Sequence, residues 1–173
     1  TQASRKNWKV SIVSSDKDLM QIVSKDINLI DTMKNKSVGP DQVYEKFGVK
    51  PDKVIDVQAL AGDSSDNIPG APGIGIKTAA DLINQFGDLE KLLKNFDEIK
   101  QVKRKSSIKD NIDQIKISKE LVTLRNDVKD IPKLEELAKK EISISKLVPF
   151  LVDLELNKLS ERIIKKNPDI EIK

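Results

Sequence analysis

A run rich in glycine and proline lies between two helical patterns and constrains the fold of this chain more than any other segment. The run covers residues 62–78 and reads GDSSDNIPGAPGIGIKT. Apolar residues share one face of a predicted helix over residues 51–61, and the same spacing resumes over residues 77–86. Because glycine adopts backbone conformations that other residues avoid, the run predicts a tight turn. We therefore expect a helix–hairpin–helix element.

The predicted hairpin consists of Gly73, Ile74 and Gly75. The backbone N–H groups at the start of the following helix point outward with the positive end of the helix dipole, and Lys77 adds a full charge there. An element of this kind binds the DNA backbone rather than the bases, so its binding has no sequence preference. A plain helix–turn–helix corner without a ligand remains the alternative from spacing alone.

Nucleotide-binding loops fit the same run poorly. In a mononucleotide P-loop, lysine directly follows the second glycine, but here Ile76 separates Gly75 from Lys77. A dinucleotide motif would need glycine at position 78, which is threonine. Nucleotide binding is therefore disfavoured.

Four aspartates form two pairs that could hold a metal ion. Asp16 and Asp18 follow the first predicted strand, where parallel sheets place their ligands, and Asp63 and Asp66 share a face if their turn is helical. Together they would make an oxygen-rich site for Mg²⁺ or Mn²⁺. Each pair by itself could instead cap a helix or solvate a loop.

The sequence contains neither cysteine nor histidine. Thiolate and imidazole metal sites, and nucleophile systems that need histidine, are therefore excluded. Any catalysis must rest on carboxylates, lysines or a hard metal ion held by oxygen ligands.

Two short strands, residues 9–13 and 27–31, flank a predicted helix over residues 17–23, which indicates a parallel βαβ unit. Two strands are too few for a stable parallel sheet. Since the remainder reads as helical, we expect that the sheet began upstream of Thr1 and that the chain is a fragment. Helices are predicted over residues 40–47, 51–61, 77–86, 88–95, 101–124 (broken near Ser106 and Ser107) and 145–156.

Positive charge is concentrated in one helical segment. The formal net charge is +3, and basic residues outnumber acidic ones by eight to four between Glu98 and Arg125. Lys103, Arg104 and Lys105 are candidate contacts to a nucleic acid, and a solvated helix face is the alternative. No apolar run approaches the roughly 20 residues of a membrane span.

Three segments together resemble the 5′ nuclease domain of bacterial DNA polymerase I, of the flap-endonuclease superfamily: residues 13–21, 59–70 and 73–80. The resemblance extends from about Trp8 to about Ile163. It implies a truncated parallel βαβ unit of a PIN/resolvase-like sheet, followed by a mainly helical region with a helix–three-turn–helix element. The implied divisions are an α/β nuclease remnant over residues 1–38, a helical DNA-binding region over 39–162, and a tail or linker over 163–173.

The resemblance also implies the roles of individual residues. Asp16, Asp18, Asp63 and Asp66 match metal-binding aspartates of the family, here for Mg²⁺ or Mn²⁺. The positions that match the element holding the duplex backbone, often with a K⁺ ion, are Gly73, Ile74, Gly75, Lys77 and Thr78. The resemblance further implies that the protein is a monomer in the bacterial cytoplasm, associated with the nucleoid, and that it acts in replication and repair. It also implies polymerase domains in the same parent chain.

The chain departs from the family pattern in one large respect. The family's first metal cluster and its helical arch have no counterpart here, while Ala71 and Ile76 are mild departures. We therefore expect the parent protein to cleave 5′ flaps and this chain to bind double-stranded DNA with a 5′ flap or nick, with little or no cleavage. The alternatives are a non-catalytic duplex-binding module and a metal-dependent phosphohydrolase of small substrates.

Overall fold

The computed structural model describes residues 2–168. The chain divides into two compact units, with the boundary between Asp130 and Ile131. The candidate site residues all belong to the first unit.

A small mixed sheet opens the first unit. After a short helix α1 (Gln2–Arg5), strand β1 (Val10–Val13) pairs in parallel with β2 (Ile27–Asp31), with Val10 opposite Ile27. The helix between the two strands is a single 3₁₀ segment, Lys17–Ile22. The predicted parallel βαβ unit is present, although its helix is shorter and tighter than predicted.

A third strand, β3 (Lys36–Val38), lies antiparallel to β2. The expectation that the remainder of the chain is helical was therefore wrong at this point. The turn before β3 is held by the Asp31 carboxylate, whose Oδ1 accepts hydrogen bonds from the N–H groups of Met33 and Lys34 at 3.0 and 3.1 Å. A three-residue strand with one apolar residue is too short for period-two alternation to reveal it.

Helices make up the rest of the first unit. The central one is α3, in which six of eight residues are buried and which packs against both α4 and α7. Its apolar residues form a core with those of α2 and α4 through α7. The bounds are α2 (Pro40–Phe47), a 3₁₀ turn (Pro51–Lys53), α3 (Val54–Ala61), α4 (Ile76–Phe86), α5 (Leu89–Lys94), a 3₁₀ turn (Phe96–Glu98), α6 (Val102–Asp110) and α7 (Ile112–Val122).

The long basic helix breaks at a different place from the one predicted. The interruption lies at Asn111, not at Ser106 and Ser107. Asn111 has a non-helical conformation, with φ −123° and ψ 21°, and its side-chain Nδ2 donates to the Ser107 carbonyl at 2.8 Å. Asparagine competes for backbone hydrogen bonds in this way, which favours a break.

The second unit contains a 3₁₀ turn (Leu134–Leu137) and two helices, α8 (Ile144–Asp153) and α9 (Asn157–Lys166), that pack against each other. Helix α9 continues past residue 163, where we expected a tail to begin. Residues 169–173 of that expected tail lie outside the described residues. Within residues 2–168, no helix is long and apolar enough to cross a membrane.

The predicted class is confirmed: a small α/β part is followed by a mainly helical part. The order of the elements brings the loop after β1 and the loop after α3 to the same place, and the candidate site forms there.

Candidate metal and nucleic-acid site

Three carboxylates from two distant segments converge. One carboxylate oxygen from each of Asp18, Asp63 and Asp66 lies within 4.8 Å of the others. Asp63 is buried, whereas Asp66 is exposed and Asp18 is half-buried. Three oxygen donors, open to solvent on one side, match the preference of Mg²⁺ and Mn²⁺.

Asp16 stands outside this group of three. It is exposed and caps the 3₁₀ helix, because its Oδ1 accepts a hydrogen bond from the Asp18 N–H at 2.9 Å. The sequence predicted four ligands together, and the structure brings three of them together. Asp16 instead fixes the backbone that carries Asp18.

Asp18 is also held from the helical side. The amide Nε2 of Gln58, on α3, donates to Asp18 Oδ1 at 2.6 Å. Gln21 anchors the same 3₁₀ helix from within: its Nε2 donates to the Val122 carbonyl at 2.9 Å and its Oε1 accepts from the Leu124 N–H at 3.1 Å. The first acidic loop is therefore tied to both α3 and the end of α7.

The carboxylate of Asp63 forms an ion pair with the side chain of Lys17. Lys17 Nζ contacts Asp63 Oδ2 and donates to Ser65 Oγ at 2.7 Å, and Ser65 Oγ donates to Asp63 Oδ1 at 2.6 Å. Burial acts to raise the pKa of Asp63, but the hydrogen bonds from Lys17 and Ser65 outweigh it and hold the pKa below its usual range. The hydrogen bond to Asp63 correspondingly raises the pKa of Lys17.

The loop that carries Asp63 and Asp66 is closed by its own backbone. Asp63 and Ile68 exchange two N–H to carbonyl hydrogen bonds of 2.8 Å, and the Ala71 N–H donates to the Leu60 carbonyl at 2.8 Å. Gly62 and Gly70 meet where the loop closes, both with positive φ. A Cβ on Gly70 would lie 2.3 Å from the Gly62 nitrogen, so no larger residue fits there without moving backbone.

Helices α6 and α7 fix the path into the hairpin. The Gly70 N–H donates to Ser118 Oγ at 3.1 Å, and Gln114 Nε2 donates to the Gly70 carbonyl at 2.7 Å. On α6, Ser107 Oγ donates at 2.6 Å to the carbonyl of Pro72, two residues after Gly70. The backbone N–H and C=O groups of the buried Gly70 are therefore both paired, as buried backbone groups require.

The hairpin itself is open to solvent. Among the described residues, a Cβ placed on Gly73 or Gly75 would have no atom within 4 Å beyond its chain neighbours. Gly75 is the N-cap of α4, so the first N–H groups of that helix face outward. Lys77 is exposed and Thr78 is half-buried. Backbone donors, a helix N-terminus and a lysine therefore share one surface that can accept a phosphate.

The three candidate basic residues of α6 have different environments. Lys103 is exposed and Arg104 half-buried, and no ion pair within 4.0 Å involves either among residues 2–168. Both lie one helical turn before Ser107, on the face that contacts the hairpin loop. Lys105 is turned elsewhere: its Nζ donates to the Asp97 carbonyl and lies 3.8 Å from Asp97 Oδ1.

Sequence reasoning missed the residues that support the site. Gln58, Ser118 and Gln114 lie on helices and act through contacts 40 or more residues away in the chain. A polar residue inside the apolar pattern of α3 was the available signal for Gln58. Lys17 lay between two candidate ligands, and its contact with Asp63 depends on the tertiary fold.

Comparisons with known proteins identify the family of this chain. A family model described as 5′-3′ exonuclease, C-terminal SAM fold, matches residues 49–145. This match covers more than half of the chain and includes the acidic loop, the hairpin and helices α3 to α7.

Curated relatives give longer matches. The chain is 49% identical over 162 residues to DNA polymerase I of Rhizobium leguminosarum, a match that covers 94% of this chain and 16% of that protein. It is 35% identical to a 5′-3′ exonuclease of Aquifex aeolicus, covering 94% of this chain and 55% of the other. The chain therefore spans about half of the exonuclease and a small part of the polymerase.

Solved structures share the fold at lower identity. A structure described as divalent metal ions (zinc) bound to T5 5′-exonuclease matches with a TM-score of 0.65 and 20% identity, covering 70% of this chain and 45% of that one. The catalytic core of Rad2 in complex with DNA substrate matches with a TM-score of 0.50 and 15% identity, covering 93% and 57%.

Proposed function

The chain belongs to the 5′-3′ exonuclease family, and from that premise we propose that it is the duplex-binding part of a 5′-3′ exonuclease or 5′-flap endonuclease of DNA polymerase I. The parent protein would require a divalent metal ion and act in DNA replication and repair. Polymerase domains would lie in the same parent chain, and the protein would work as a cytoplasmic monomer on nucleoid DNA.

The observation that carries the DNA-binding proposal is the open hairpin at the start of α4. Space beside Gly73 and Gly75 lets a phosphate approach the backbone, and the N–H groups of α4 with Lys77 supply donors and charge. Lys103 and Arg104 extend this basic surface from α6, and Lys105 belongs to the same segment. The hairpin N–H groups, Lys77, Lys103 and Arg104 would contact the DNA backbone, so binding would be independent of sequence. Lys105 would join them only by releasing Asp97.

The hairpin is also where we place a K⁺ ion between protein and phosphate, following the family resemblance. Ile74 anchors this loop, because its side chain is buried in the core while its two neighbours are exposed. The K⁺ site remains a prediction.

For the metal ion, Asp18, Asp63 and Asp66 supply the ligands whose oxygens already converge, and exposed Asp16 can contribute its second oxygen. A bound Mg²⁺ or Mn²⁺ supplies charge neutralisation at a phosphate and activation of a water molecule. The chain's own part is to hold the carboxylates in place through Gln58, the Asp16 cap and the closed loop of residues 62–70.

We test the DNA-binding proposal with a matched pair of glycine variants. Gly75→Ala and Gly39→Ala each add one methyl group at the N-cap of a helix where φ is negative, so both should fold. Fluorescence anisotropy with a labelled 5′-flap duplex should show at least about a tenfold loss of affinity for Gly75→Ala, since a lost phosphate contact costs at least about 1.4 kcal/mol. Gly39→Ala should bind as the wild type does. Equal affinities for all three proteins would refute the hairpin assignment.

The second candidate function is a non-catalytic duplex-binding module, and a specific observation favours it for this chain alone. Within residues 2–168, the only acidic cluster arranged for a metal ion contains three carboxylates. We therefore expect the 173-residue chain to bind a 5′-flap duplex in Mg²⁺ and to release little or no product on a denaturing gel. Turnover comparable to that of an intact 5′ nuclease would contradict this expectation.

A further inference from the structure

A buried glutamine in α3 contacts one member of the acidic cluster and has an incomplete set of hydrogen bonds. Gln58 is 3% exposed. Its Nε2 donates to Asp18 Oδ1 at 2.6 Å, while its Oε1 has no hydrogen-bond partner among residues 2–168. A buried amide oxygen without a donor is unfavourable, so its persistence needs an explanation.

A 180° rotation of the Gln58 amide group does not give the oxygen a hydrogen-bond partner. The reverse orientation would place its oxygen against the oxygen of Asp18, and a carboxylate offers no proton to share when ionised. The contact with Asp18 therefore fixes which atom faces the carboxylate. The unpaired oxygen remains beside the cluster, because both atoms belong to the same planar amide group.

Helix α3 gives Gln58 a rigid connection to the rest of the cluster. The helix ends at Ala61, and Asp63 follows two residues later through the closed loop. The same short helix thus holds Asp18 through a side chain and delivers Asp63 through its own backbone. A change at Gln58 alters the position of Asp18 relative to Asp63 without touching Asp63.

We propose that Gln58 is a positioning residue of the metal site: its amide N–H orients the Asp18 carboxylate, and its amide oxygen accepts a hydrogen bond from a water molecule carried by the bound cation. This proposal rests on the proposed metal-binding function of Asp18, Asp63 and Asp66. Small divalent cations keep several of their waters in protein sites, and these waters are hydrogen-bond donors. Hydrogen bonds behind a ligand commonly change metal affinity by about 10- to 100-fold.

The test uses Mn²⁺ as the probe and does not depend on nuclease activity. Mn²⁺ affinity of the full 173-residue chain is measured by electron paramagnetic resonance, and thermal unfolding is followed in EDTA and in saturating Mn²⁺. Gln58→Met keeps the length of the side chain and removes both polar atoms. Gln85→Met is the control, because Gln85 is an exposed residue of α4.

We expect Gln58→Met to bind Mn²⁺ about tenfold more weakly than the wild type. In EDTA it should unfold at the same or a higher temperature, because the unpaired oxygen is gone. In Mn²⁺ the order should reverse, with the wild type more stable. A purely structural role predicts the opposite: lower stability in EDTA with unchanged affinity.

If Gln58→Met alters the fold, Gln58→Leu is a second replacement that removes both polar atoms, and it should likewise bind Mn²⁺ about tenfold more weakly than the wild type. Asp18→Asn removes the ligand that Gln58 positions, so in that background Gln58→Met should weaken residual Mn²⁺ binding by less than it does in the wild type, because only the contact with a metal-bound water is left to lose. Equal Mn²⁺ affinity of wild type and Gln58→Met overturns the role of Gln58 alone. Failure of the wild type to bind Mn²⁺ overturns the metal site as well.

Discussion

The hydroxyl of Ser118 accepts a hydrogen bond from the backbone N–H of Gly70 at 3.1 Å, across 48 residues of sequence. Ser118 is fully buried on α7, and Gln114, one turn earlier, donates to the carbonyl of the same glycine at 2.7 Å. A distant helix therefore holds the peptide that joins the acidic loop to the hairpin. Gly70 therefore lies between the candidate metal ligands and the candidate DNA-binding residues, and α7 fixes its position.

Ser118→Ala should destabilise the chain by about 1–3 kcal/mol, because it leaves the Gly70 N–H buried without an acceptor. Urea unfolding followed by circular dichroism measures the change. Ser106→Ala is the matched control, since Ser106 is exposed on α6 and its Oγ donates to Asp110 Oδ2 on the same helix. That variant should stay within about 0.5 kcal/mol of the wild type. Equal losses from both variants would show that the Ser118–Gly70 bond contributes nothing specific.

Three glycine-to-alanine variants should lose stability in a fixed order. Gly70→Ala should lose about 3 kcal/mol or more, because its Cβ meets the backbone of Gly62 and its φ is +58°. Gly73→Ala should lose about 1–2 kcal/mol, since its φ is +76° but the space beside it is open. Gly75→Ala should lose less than about 1 kcal/mol. Urea midpoints give the order, and a Gly70→Ala variant as stable as Gly75→Ala would contradict the close approach of the two backbones.

Lys17→Met should strengthen Mn²⁺ binding while it weakens the metal-free fold. Lys17 Nζ contacts Asp63 Oδ2, so a cation that binds Asp63 competes with this ammonium group. The Lys17 side chain is 32% exposed, so water screens the pair, and we take the value of about 0.2–1 kcal/mol typical of solvent-accessible pairs, which corresponds to an increase in Mn²⁺ affinity of about threefold. Isothermal titration calorimetry measures it, with Lys17→Arg as the charge-conserving control. Weaker binding by Lys17→Met would mean that Lys17 supports the metal site.

The same ion pair predicts a pH dependence in EDTA. The pKa of Asp63 lies below its usual range in the folded chain, so the stabilisation is present above the unfolded pKa of about 3.9 and is lost as the pH falls through the folded value. The pKa of Lys17 is raised, so the stabilisation is complete below about pH 10.4 and disappears as the pH rises through the folded value. The difference in unfolding free energy between wild type and Lys17→Met should be constant between these limits and shrink outside them. A difference that does not change down to about pH 2 would contradict the pairing.

Local pattern was enough to predict most helices and the hairpin. Helix α4 shows a clear apolar period and ends before Gly87, and α2 begins with Pro40 and ends before Gly48, so both could be placed to within about two residues. Strand β3 could not be predicted, because three residues carry too little alternation. The break at Asn111 depends on the hydrogen bond from its side chain to the Ser107 carbonyl. An asparagine four residues after a serine is common inside helices as well, so the sequence alone does not predict this bond.

The site residues also fall into two groups, those that local sequence predicts and those that depend on tertiary packing. The types and spacing of Asp18, Asp63 and Asp66 were enough to propose that they meet, because strand ends and tight turns collect ligands. Asp16 lies outside the carboxylate cluster because its side chain accepts a hydrogen bond from the Asp18 N–H instead. Lys105 points away from the hairpin because it contacts Asp97. Both contacts depend on the folded structure. The roles of Gln58 and Ser118 could not be predicted either, because their hydrogen bonds to Asp18 and Gly70 form only when the helices pack.

We propose above all that this chain holds the backbone of duplex DNA through the hairpin at the start of α4. The most direct measurement is the salt dependence of 5′-flap duplex binding between about 50 and 200 mM KCl, compared for wild type, Lys77→Ala and the exposed control Lys25→Ala. We predict that wild-type affinity falls steeply and equally for duplexes of unrelated sequence, that Lys77→Ala reduces the slope of log K against log salt by about 1, and that Lys25→Ala leaves it unchanged. An unchanged slope in Lys77→Ala, or a wild-type affinity that follows sequence rather than salt, would contradict the claim.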